Sequence, residues 1–397
     1  MIWRRQLPAW SPVTIGALAA GAFTSRGDRR PIASLDARVR SEYGSSRVQL
    51  TESGTAALAL AMLAAAPEGS RPRVAMPAWA CYDLMTAADI ADAEVILYDL
   101  DPGTLAPASL SFADALARRP SSVVVAHWFG IPVTLEPLLA ATRDAGATFI
   151  EDAAQGVAGR LGERPLGALG DFGILSFGRG KGRTGGLGGA LLANNAASMA
   201  RLQRVRHRVA PADPGKRGLL ALAAQWAAGR PWVYAIPSSI RSLRLGETIY
   251  RPPTPICEMP GWAAAVVGSL WLRSTREAAV RHAVAARWER LLASHTSVRT
   301  FTEGVRTVAG WLRYPLLVND ATALLDADAR RLGVMPGYRR LLADLPLAPG
   351  RLVSAGPWPG AAELASRLRT LPTHSLLRSS DVTAIVQLLG RSGNRHS

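Results

Sequence analysis

The sequence has very little lysine. Lysine occurs only at Lys181 and Lys216 among 397 residues, although lysine and arginine together number 46 against 30 acidic residues. Arginine therefore carries almost all of the formal charge of +16, and it is scattered from Arg4 to Arg395. Nucleic-acid-binding proteins more often gather their cations on one element. We interpret the charge as a compositional bias and expect no nucleic-acid partner.

Cysteine and long apolar runs are also scarce. Cys81 and Cys257 are too few for a disulfide framework and lack metal-ligand spacing, so we expect no metal site and a reducing, cytoplasmic location. No apolar stretch approaches the roughly 20 residues that span a bilayer. Prolines interrupt the N-terminal segment, which predicts an arm with a short helix rather than a signal peptide. We therefore expect no membrane span.

The segment from about Arg73 to Asn195 alternates β-rich and helical runs. Such alternation predicts an α/β fold with three αβα layers and a mostly parallel central sheet. A helix is predicted over 134–146, ending at Gly146, and an alanine-rich helix is predicted to begin near Gly54 and Thr55. The predicted strands are 73–79, 93–100, 122–130, 147–153, 172–177 and 189–195.

The remainder of the chain predicts a second, smaller unit. Residues of about 205–255 are rich in proline, glycine and arginine around one short apolar helix, and we interpret them as an insertion. A long helical run begins after Met259. We expect a large domain over 1–255, and a bridging helix with a small C-terminal α+β domain over 256–397.

A glycine-rich stretch, SFGRGKGRTGGLGG, surrounds one of the two lysines. A P-loop requires serine or threonine after its lysine, but Gly182 follows Lys181. A dinucleotide-binding glycine motif follows the first strand of its unit, whereas this stretch comes late. An RGG-like segment would be disordered, yet two apolar strands flank this one. The pattern favours a lysine that is presented to a carbonyl compound for Schiff-base formation.

Pyridoxal phosphate is the commonest cofactor of such lysines, and the chain offers groups that suit it. Asp152 ends a predicted strand, where it could pair with a pyridinium nitrogen or simply cap the next helix. Gln155 could donate to the ring hydroxyl. Gly54 and Thr55, at a helix N-terminus, and Ser176 could bind a phosphate.

Several of these segments together resemble the DegT/StrS family of fold-type I, pyridoxal-phosphate-dependent sugar aminotransferases. The similarity covers about 45–195 in matching order and spacing, with a weaker likeness at 313–318 and 371–374. The segments that carry it are SGTAAL at 53–58, the proline-containing strand end at 76–81, the His-aromatic-aromatic-Gly at 127–130, EDAAQ at 151–155 and SF-x-x-x-K ending at Lys181.

The resemblance implies roles for individual residues. Lys181 would form the Schiff base with pyridoxal 5'-phosphate and then move protons. The cofactor's pyridine nitrogen, ring hydroxyl and phosphate would be bound, respectively, by Asp152, by Gln155, and by Gly54, Thr55 and Ser176. The family further implies a homodimer that transfers an amino group from glutamate to a nucleotide-linked keto sugar, in polysaccharide or glycosylated-metabolite biosynthesis.

Some positions depart from the family pattern. Cys81 stands where an aromatic side chain commonly stacks on the cofactor ring, which leaves Trp79 and Tyr82 as candidates. Leu187 replaces a glutamate, and residues 256–259 lack the asparagine that would reach a neighbouring subunit.

His127 and His374 are candidate substrate contacts, although single histidines at such positions are more often structural. Two other functions stay open: a pyridoxal-phosphate-dependent sugar dehydratase or related carbanion chemistry, and a non-catalytic regulator with the same fold. The retained Lys181 favours amino transfer, because the family's dehydratases carry histidine there.

Overall fold

The computed structural model describes residues 4–213, 215–239, 248–347 and 350–393. The helices in these ranges are α1 Ile15–Phe23, α2 Arg30–Tyr43, α3 Gly54–Ala65, α4 Asp83–Ile90, α5 Ser109–Ala117, α6 Glu136–Asp144, α7 Ala196–Val205, α8 Arg217–Ala228, α9 Pro231–Ser239, α10 Gly261–Leu292, α11 Ala327–Arg331, α12 Pro359–Arg367 and α13 Ser379–Gly393. The strands are β1 Arg47–Thr51, β2 Arg73–Pro77, β3 Glu94–Tyr98, β4 Ser122–Ala126, β5 Thr148–Asp152, β6 Arg160–Leu161, β7 Arg164–Pro165, β8 Phe172–Ser176, β9 Gly189–Ala193, β10 Val298–Thr300, β11 Thr307–Val308, β12 Tyr314–Val318, β13 Met335–Pro336 and β14 Leu368–Leu371.

A seven-stranded sheet forms the centre of the described large region, in the order β1-β9-β8-β5-β4-β2-β3. β9 runs antiparallel to β1 and β8, and the remaining neighbours are parallel. Helices cover both faces, since one buried apolar cluster includes α3 and α4 and another includes α1, α2 and the first half of α10. The prediction of an αβα fold with a mostly parallel sheet is confirmed.

The sequence of α3 explains where this helix begins and why it is buried. The Ser53 hydroxyl accepts a hydrogen bond from the Ala56 N–H at 3.0 Å, which caps the helix start. Alanine and leucine then follow with no charged residue, and nearly every side chain is buried. A helix that is apolar all round must lie inside the protein, and α3 packs between β8, β9 and α4.

The predicted strand over 122–130 is too long. It ends at Ala126, and residues 128–130 form a tight turn in which Phe129 has a φ of 57° and Gly130 a φ of +86°. A Cβ on Gly130 would lie 2.9 Å from the Gln155 carbonyl oxygen and 3.0 Å from the Gly310 Cα. Only glycine permits this approach, and the chain turns here instead of extending.

The C-terminal part contains the long helix that the sequence predicts, α10, which has 32 residues. Beyond it lies an antiparallel four-stranded sheet in the order β10-β12-β14-β13, accompanied by α11, α12 and α13. The placement of the domain boundary at 255/256 stays a prediction. Within the proposed insertion, α8 and α9 form as apolar helices, and its residues 240–247 lie outside the described ranges. No helix in the described ranges has the length and apolarity needed to cross a membrane.

Candidate functional site

A cleft of about 510 Å³, its open mouth included, lies at the carboxyl ends of β4, β5 and β8. Carboxyl ends of parallel strands are where ligands bind in open α/β sheets. The chain separates the lining segments by up to about 130 positions, yet the fold brings them to one place. The lining includes Gly54, Thr55, His127, Asp152, Gln155, Ser176 and Lys181.

One end of the cleft is formed by the start of α3 and the end of β8. A Cβ on Gly54 would lie 2.9 Å from the Ser176 Cβ, so glycine is required for the helix start to approach the strand end. A Cβ on Gly189 would lie 2.4 Å from the Ser53 carbonyl oxygen, which brings β9 equally close. Gly54 and Thr55 at the start of α3 and Ser176 at the end of β8 therefore line the same end of the cleft. This arrangement suits an anion such as phosphate.

Lys181 lies in the loop between β8 and β9. Its N–H donates to the Gly178 carbonyl at 3.3 Å, and its own carbonyl accepts from the Ser11 hydroxyl at 2.7 Å. The Thr184 hydroxyl donates to the Gly178 carbonyl at 3.0 Å and accepts from the Gly186 N–H at 3.0 Å. These bonds hold the loop backbone while the Lys181 side chain lines the cleft.

Asp152 ends β5 and lines the same cleft. One carboxylate oxygen accepts a hydrogen bond from the Ala154 N–H at 2.9 Å, so Asp152 does cap the following turn, as the simpler interpretation holds. Burial raises the pKa of the Asp152 carboxyl above its ordinary 3.8, against the Ala154 N–H and the charge of Lys181, which lower it. A cation bound in the cleft would relieve the cost of this buried negative charge.

His127 is held by both ring nitrogens. The Val133 N–H donates to Nδ1 at 3.1 Å, so Nε2 carries the proton and donates to Glu151 at 3.0 Å. This network favours a structural role for His127 over contact with a substrate. Sequence reasoning missed Glu151, which the EDAAQ motif places beside Asp152 but on the opposite face of β5.

Gln155 is also fixed by its neighbours. Its side-chain oxygen accepts from the Phe129 N–H at 3.0 Å, and its Nε2 donates to the Tyr338 hydroxyl at 2.9 Å. Tyr338 is a buried residue from the C-terminal part, and burial raises the pKa of its phenol well above the ordinary value. No motif in the sequence signals Tyr338, because only the tertiary fold brings it to Gln155.

Neither predicted ring-stacking aromatic is among the residues that line the cleft. Trp79 is fully buried, and its indole N–H donates to the Tyr338 carbonyl at 2.7 Å. The Tyr82 hydroxyl accepts from the Arg340 N–H at 3.1 Å. Cys81 and Trp128 line the cleft instead, and Trp128 is the aromatic in the lining that the sequence interpretation overlooked. Burial raises the pKa of the Cys81 thiol to about 12, so the thiol stays protonated.

His374 lies outside this cleft lining. Its ring is buried, and Nε2 donates to the Leu7 carbonyl at 2.8 Å. Burial lowers the pKa of the imidazole to about 4, so the ring is neutral near pH 7. These contacts give His374 a structural role and argue against the predicted substrate contact.

Curated relatives share similarity with only part of the chain. An L-glutamine:2-deoxy-scyllo-inosose aminotransferase of Streptoalloteichus tenebrarius is 29% identical over 213 residues, covering 51% of this chain and 50% of that protein. A UDP-N-acetyl-3-dehydro-alpha-D-glucosamine 3-aminotransferase of Acidithiobacillus ferrooxidans is 29% identical over 151 residues, covering 36% and 38%. The chain thus spans about half the length, or less, of the curated relatives it matches.

Solved structures match along nearly the whole chain. 3-Amino-5-hydroxybenzoic acid synthase superposes with a TM-score of 0.77 at 19% identity, covering 99% of this chain and 100% of that one. The sugar aminotransferase CalS13 of Micromonospora echinospora gives a TM-score of 0.74 at 22% identity, covering 98% and 100%. These likenesses confirm the predicted fold-type I architecture. Residues 14–217 match the family model described as the DegT/DnrJ/EryC1/StrS aminotransferase family. The chain belongs to this family.

Proposed function

We propose that the protein is a pyridoxal-phosphate-dependent aminotransferase that converts a ketone on a polyhydroxylated ring into an amine. One observation carries the proposal: Lys181 and Asp152 line one cleft, beside the helix start formed by Gly54 and Thr55. The same cleft therefore offers a nucleophilic amine, a buried carboxylate and an anion site.

The residues present fit the cofactor. Glycine at position 54 lets the start of α3 pack directly against Ser176, so helix N–H groups and a hydroxyl lie at the same end of the cleft, which suits that end to a bound phosphate. Asp152, whose pKa burial raises, would gain from pairing with a protonated ring nitrogen. Gln155 has a second N–H on Nε2 for the ring hydroxyl. When bound, pyridoxal phosphate supplies an electron sink for charge that develops on the substrate's carbon.

Lys181 would move the protons. Its Nζ would accept the proton from the α carbon of the amino donor and later return one to the former ketone carbon of the acceptor. Asp152 would keep its negative charge throughout and hold the ring nitrogen protonated. The buried walls, among them Trp128 and Ala126, would exclude water from this exchange.

The substrate class rests on the relatives' names. Five relatives are named for L-glutamine and a scyllo-inosose or its 2-deoxy form, and another is named for a UDP-linked keto sugar. These share a polyhydroxylated ring ketone as the acceptor, which supports that class for this chain. The predictions of a nucleotide-linked acceptor, of glutamate as donor, and of a homodimer in polysaccharide or glycosylated-metabolite biosynthesis belong to this proposal.

The first test uses the chain's two lysines. The protein is incubated with pyridoxal phosphate, reduced with borohydride, and mapped by peptide mass spectrometry. We expect the cofactor to attach at Lys181 in the unaltered protein and in Lys216→Ala, but not in Lys181→Ala. Lys216 is the matched control, because its Nζ donates to the Ala22 and Thr24 carbonyls away from the cleft. Attachment that survives Lys181→Ala would overturn the assignment.

The second test separates the donors. Glutamate or glutamine is added to the loaded protein, and the visible absorption band is followed. Loss of the band with one donor identifies it. A band that neither donor changes would contradict amino transfer from these donors and direct attention to the dehydratase chemistry.

A further inference from the structure

The N-terminal strap, residues 4–13, connects the C-terminal part of the chain to the lysine loop. The Arg4 guanidinium forms an ion pair with Asp381, and Gln6 Nε2 donates to the Leu376 carbonyl at 2.9 Å. The Leu7 carbonyl accepts from His374 at 2.8 Å. One end of the strap is therefore attached to the segment before α13 and to its first turn.

The other end of the strap contacts the lysine loop. Arg281 of α10 is 1% exposed and donates to the Trp10 carbonyl at 2.8 Å. The next residue, Ser11, is 5% exposed, and its hydroxyl donates to the carbonyl of Lys181 itself at 2.7 Å. The donor side chains of Ser11 and Arg281 are buried, so water competes poorly for these contacts, and removing either donor leaves a partly buried carbonyl with one partner fewer.

We infer that Ser11 is a positioning residue for Lys181, and that the N-terminal strap transmits the placement of the C-terminal part to the reactive lysine. The inference rests on the proposed function of Lys181. The loop around Lys181 contains Gly178, Gly180 and Gly182, which leave its backbone free to adopt several conformations. A hydrogen bond to the Lys181 carbonyl selects one of these conformations. It thereby sets the direction in which the Lys181 side chain extends from the backbone.

A second contact supports this role. A Cβ on Gly182 would lie 2.8 Å from Arg281 Nη1, so α10 and the loop touch next to the lysine. Arg281 thereby contacts both the strap, through Trp10, and the loop, through Gly182. The Ser11 bond joins the next residue of the strap to the preceding residue of the loop, so the three contacts together limit how the loop can move.

The test measures lysine reactivity with and without the cofactor. Because Lys216 is the one other lysine, it serves as a reference within the same molecule. The full-length protein without cofactor is treated with a small amine-acylating reagent, and the labelling rates of Lys181 and Lys216 are compared by mass spectrometry from pH 7 to 10. Attachment of pyridoxal phosphate is then timed by its visible absorption.

Ser11→Ala should let Lys181 leave the cleft. We expect its labelling relative to Lys216 to rise, the pH midpoint of its labelling to change, and cofactor attachment to slow. The loss of one such hydrogen bond corresponds to a change of about five- to thirtyfold. Ser11→Thr, which keeps a hydroxyl, should restore both rates, and Ser11→Cys, a weaker donor of similar size, should fall between.

The matched control is Ser70→Ala. Ser70 also donates to a carbonyl at 2.7 Å, that of Pro67, but in an exposed turn. If Ser11→Ala and Ser11→Cys match Ser70→Ala in the Lys181:Lys216 ratio, the pH midpoint and cofactor attachment, the strap does not position the lysine. Failure of the unaltered protein to bind the cofactor would sink the proposed function instead, and the labelling ratio would still decide the role of Ser11.

Discussion

Glu151 and Asp152 are neighbours at the end of β5, but they lie on opposite faces of the sheet and under opposite electrostatic conditions. Glu151 is fully buried away from the cleft and accepts hydrogen bonds from the N–H groups of Gly167, Leu169 and Gly170 and from His127. Burial alone would raise the pKa of Glu151, yet these donors outweigh it and lower the pKa below 4.5.

Asp152 shows the reverse balance. Its carboxylate accepts a hydrogen bond from Ala154, and burial raises the pKa of Asp152. Both carboxylates are buried, and they differ in the number of hydrogen-bond donors that they accept from. A fully paired buried carboxylate stabilises the fold, whereas one that is short of donors is prepared for a charged ligand. Of these adjacent residues, Glu151 therefore serves the fold and Asp152 is available to the site.

The largest effect should come from Asp152→Asn. The amide keeps the shape but cannot hold a ring nitrogen protonated by its charge, so we expect turnover to fall by about 100- to 1,000-fold. Steady-state transamination with the donor identified above provides the measurement. Asp114→Asn, on the exposed surface of α5, is the control. Activity within a few-fold of the unaltered protein would show that Asp152 is only a capping residue.

Glu151→Gln should act on stability instead. The change replaces one acceptor oxygen with an NH2 group, which leaves buried N–H donors unpaired, and we expect a loss of about 3 kcal/mol in the free energy of unfolding by urea. The stabilisation should be fully present above about pH 4.5 and disappear as the pH falls through the lowered pKa of Glu151. Cofactor attachment at Lys181 should persist in the folded fraction. A variant that stays stable but loses the cofactor would contradict the division of roles.

The contribution of Asp152 to stability should depend on pH in the opposite direction to that of Glu151. A raised pKa gives a contribution that is present below about 3.8 and lost as the pH rises through the folded-state value. Without cofactor, Asp152→Asn should therefore gain stability relative to the unaltered protein as the pH rises from 4 to 7. The measurement is the urea midpoint of Asp152→Asn and of the unaltered protein at pH 4 and pH 7. A variant that loses stability relative to the unaltered protein at pH 7 would mean that the charge of Asp152 is already well paired.

Much of this site could be predicted from the sequence, because its parts are local. The six central strands, the start of α3 and the loop around Lys181 follow from apolar runs, a serine cap and glycine spacing, and their order brings them to one edge of the sheet. Strand β1 is absent from the predicted strands, because the polar side chains of Arg47 and Gln49 make a short edge strand resemble a loop.

The remaining features depend on contacts between distant segments. The motif at 127–130 predicts a strand, and only the packing of Gly130 against Gly310 explains the turn that places Trp128 in the cleft. Tyr338 contacts Gln155 and Ser11 contacts Lys181 across long stretches of sequence, with no motif to mark them. Spacing also cannot tell which face of β5 receives backbone donors, which is what separates Glu151 from Asp152.

Glu52 should show the smallest effect of the balance between burial and hydrogen-bond donors, because its carboxylate has one backbone donor and is partly exposed. Its carboxylate accepts from the Cys257 N–H at 2.6 Å, but burial raises its pKa to about 7. Its contribution to stability should thus be complete below about pH 4.5 and lost as the pH rises through 7. Solvent screening limits the loss to about 1 kcal/mol. Glu52→Gln should reduce the change in the urea midpoint between pH 4.5 and 7.5, whereas Glu68→Gln on the surface should leave that change as it is. An unchanged pH dependence in Glu52→Gln would mean that one backbone donor compensates for burial at Glu52, and the single Ala154 donor would then suffice for Asp152 as well.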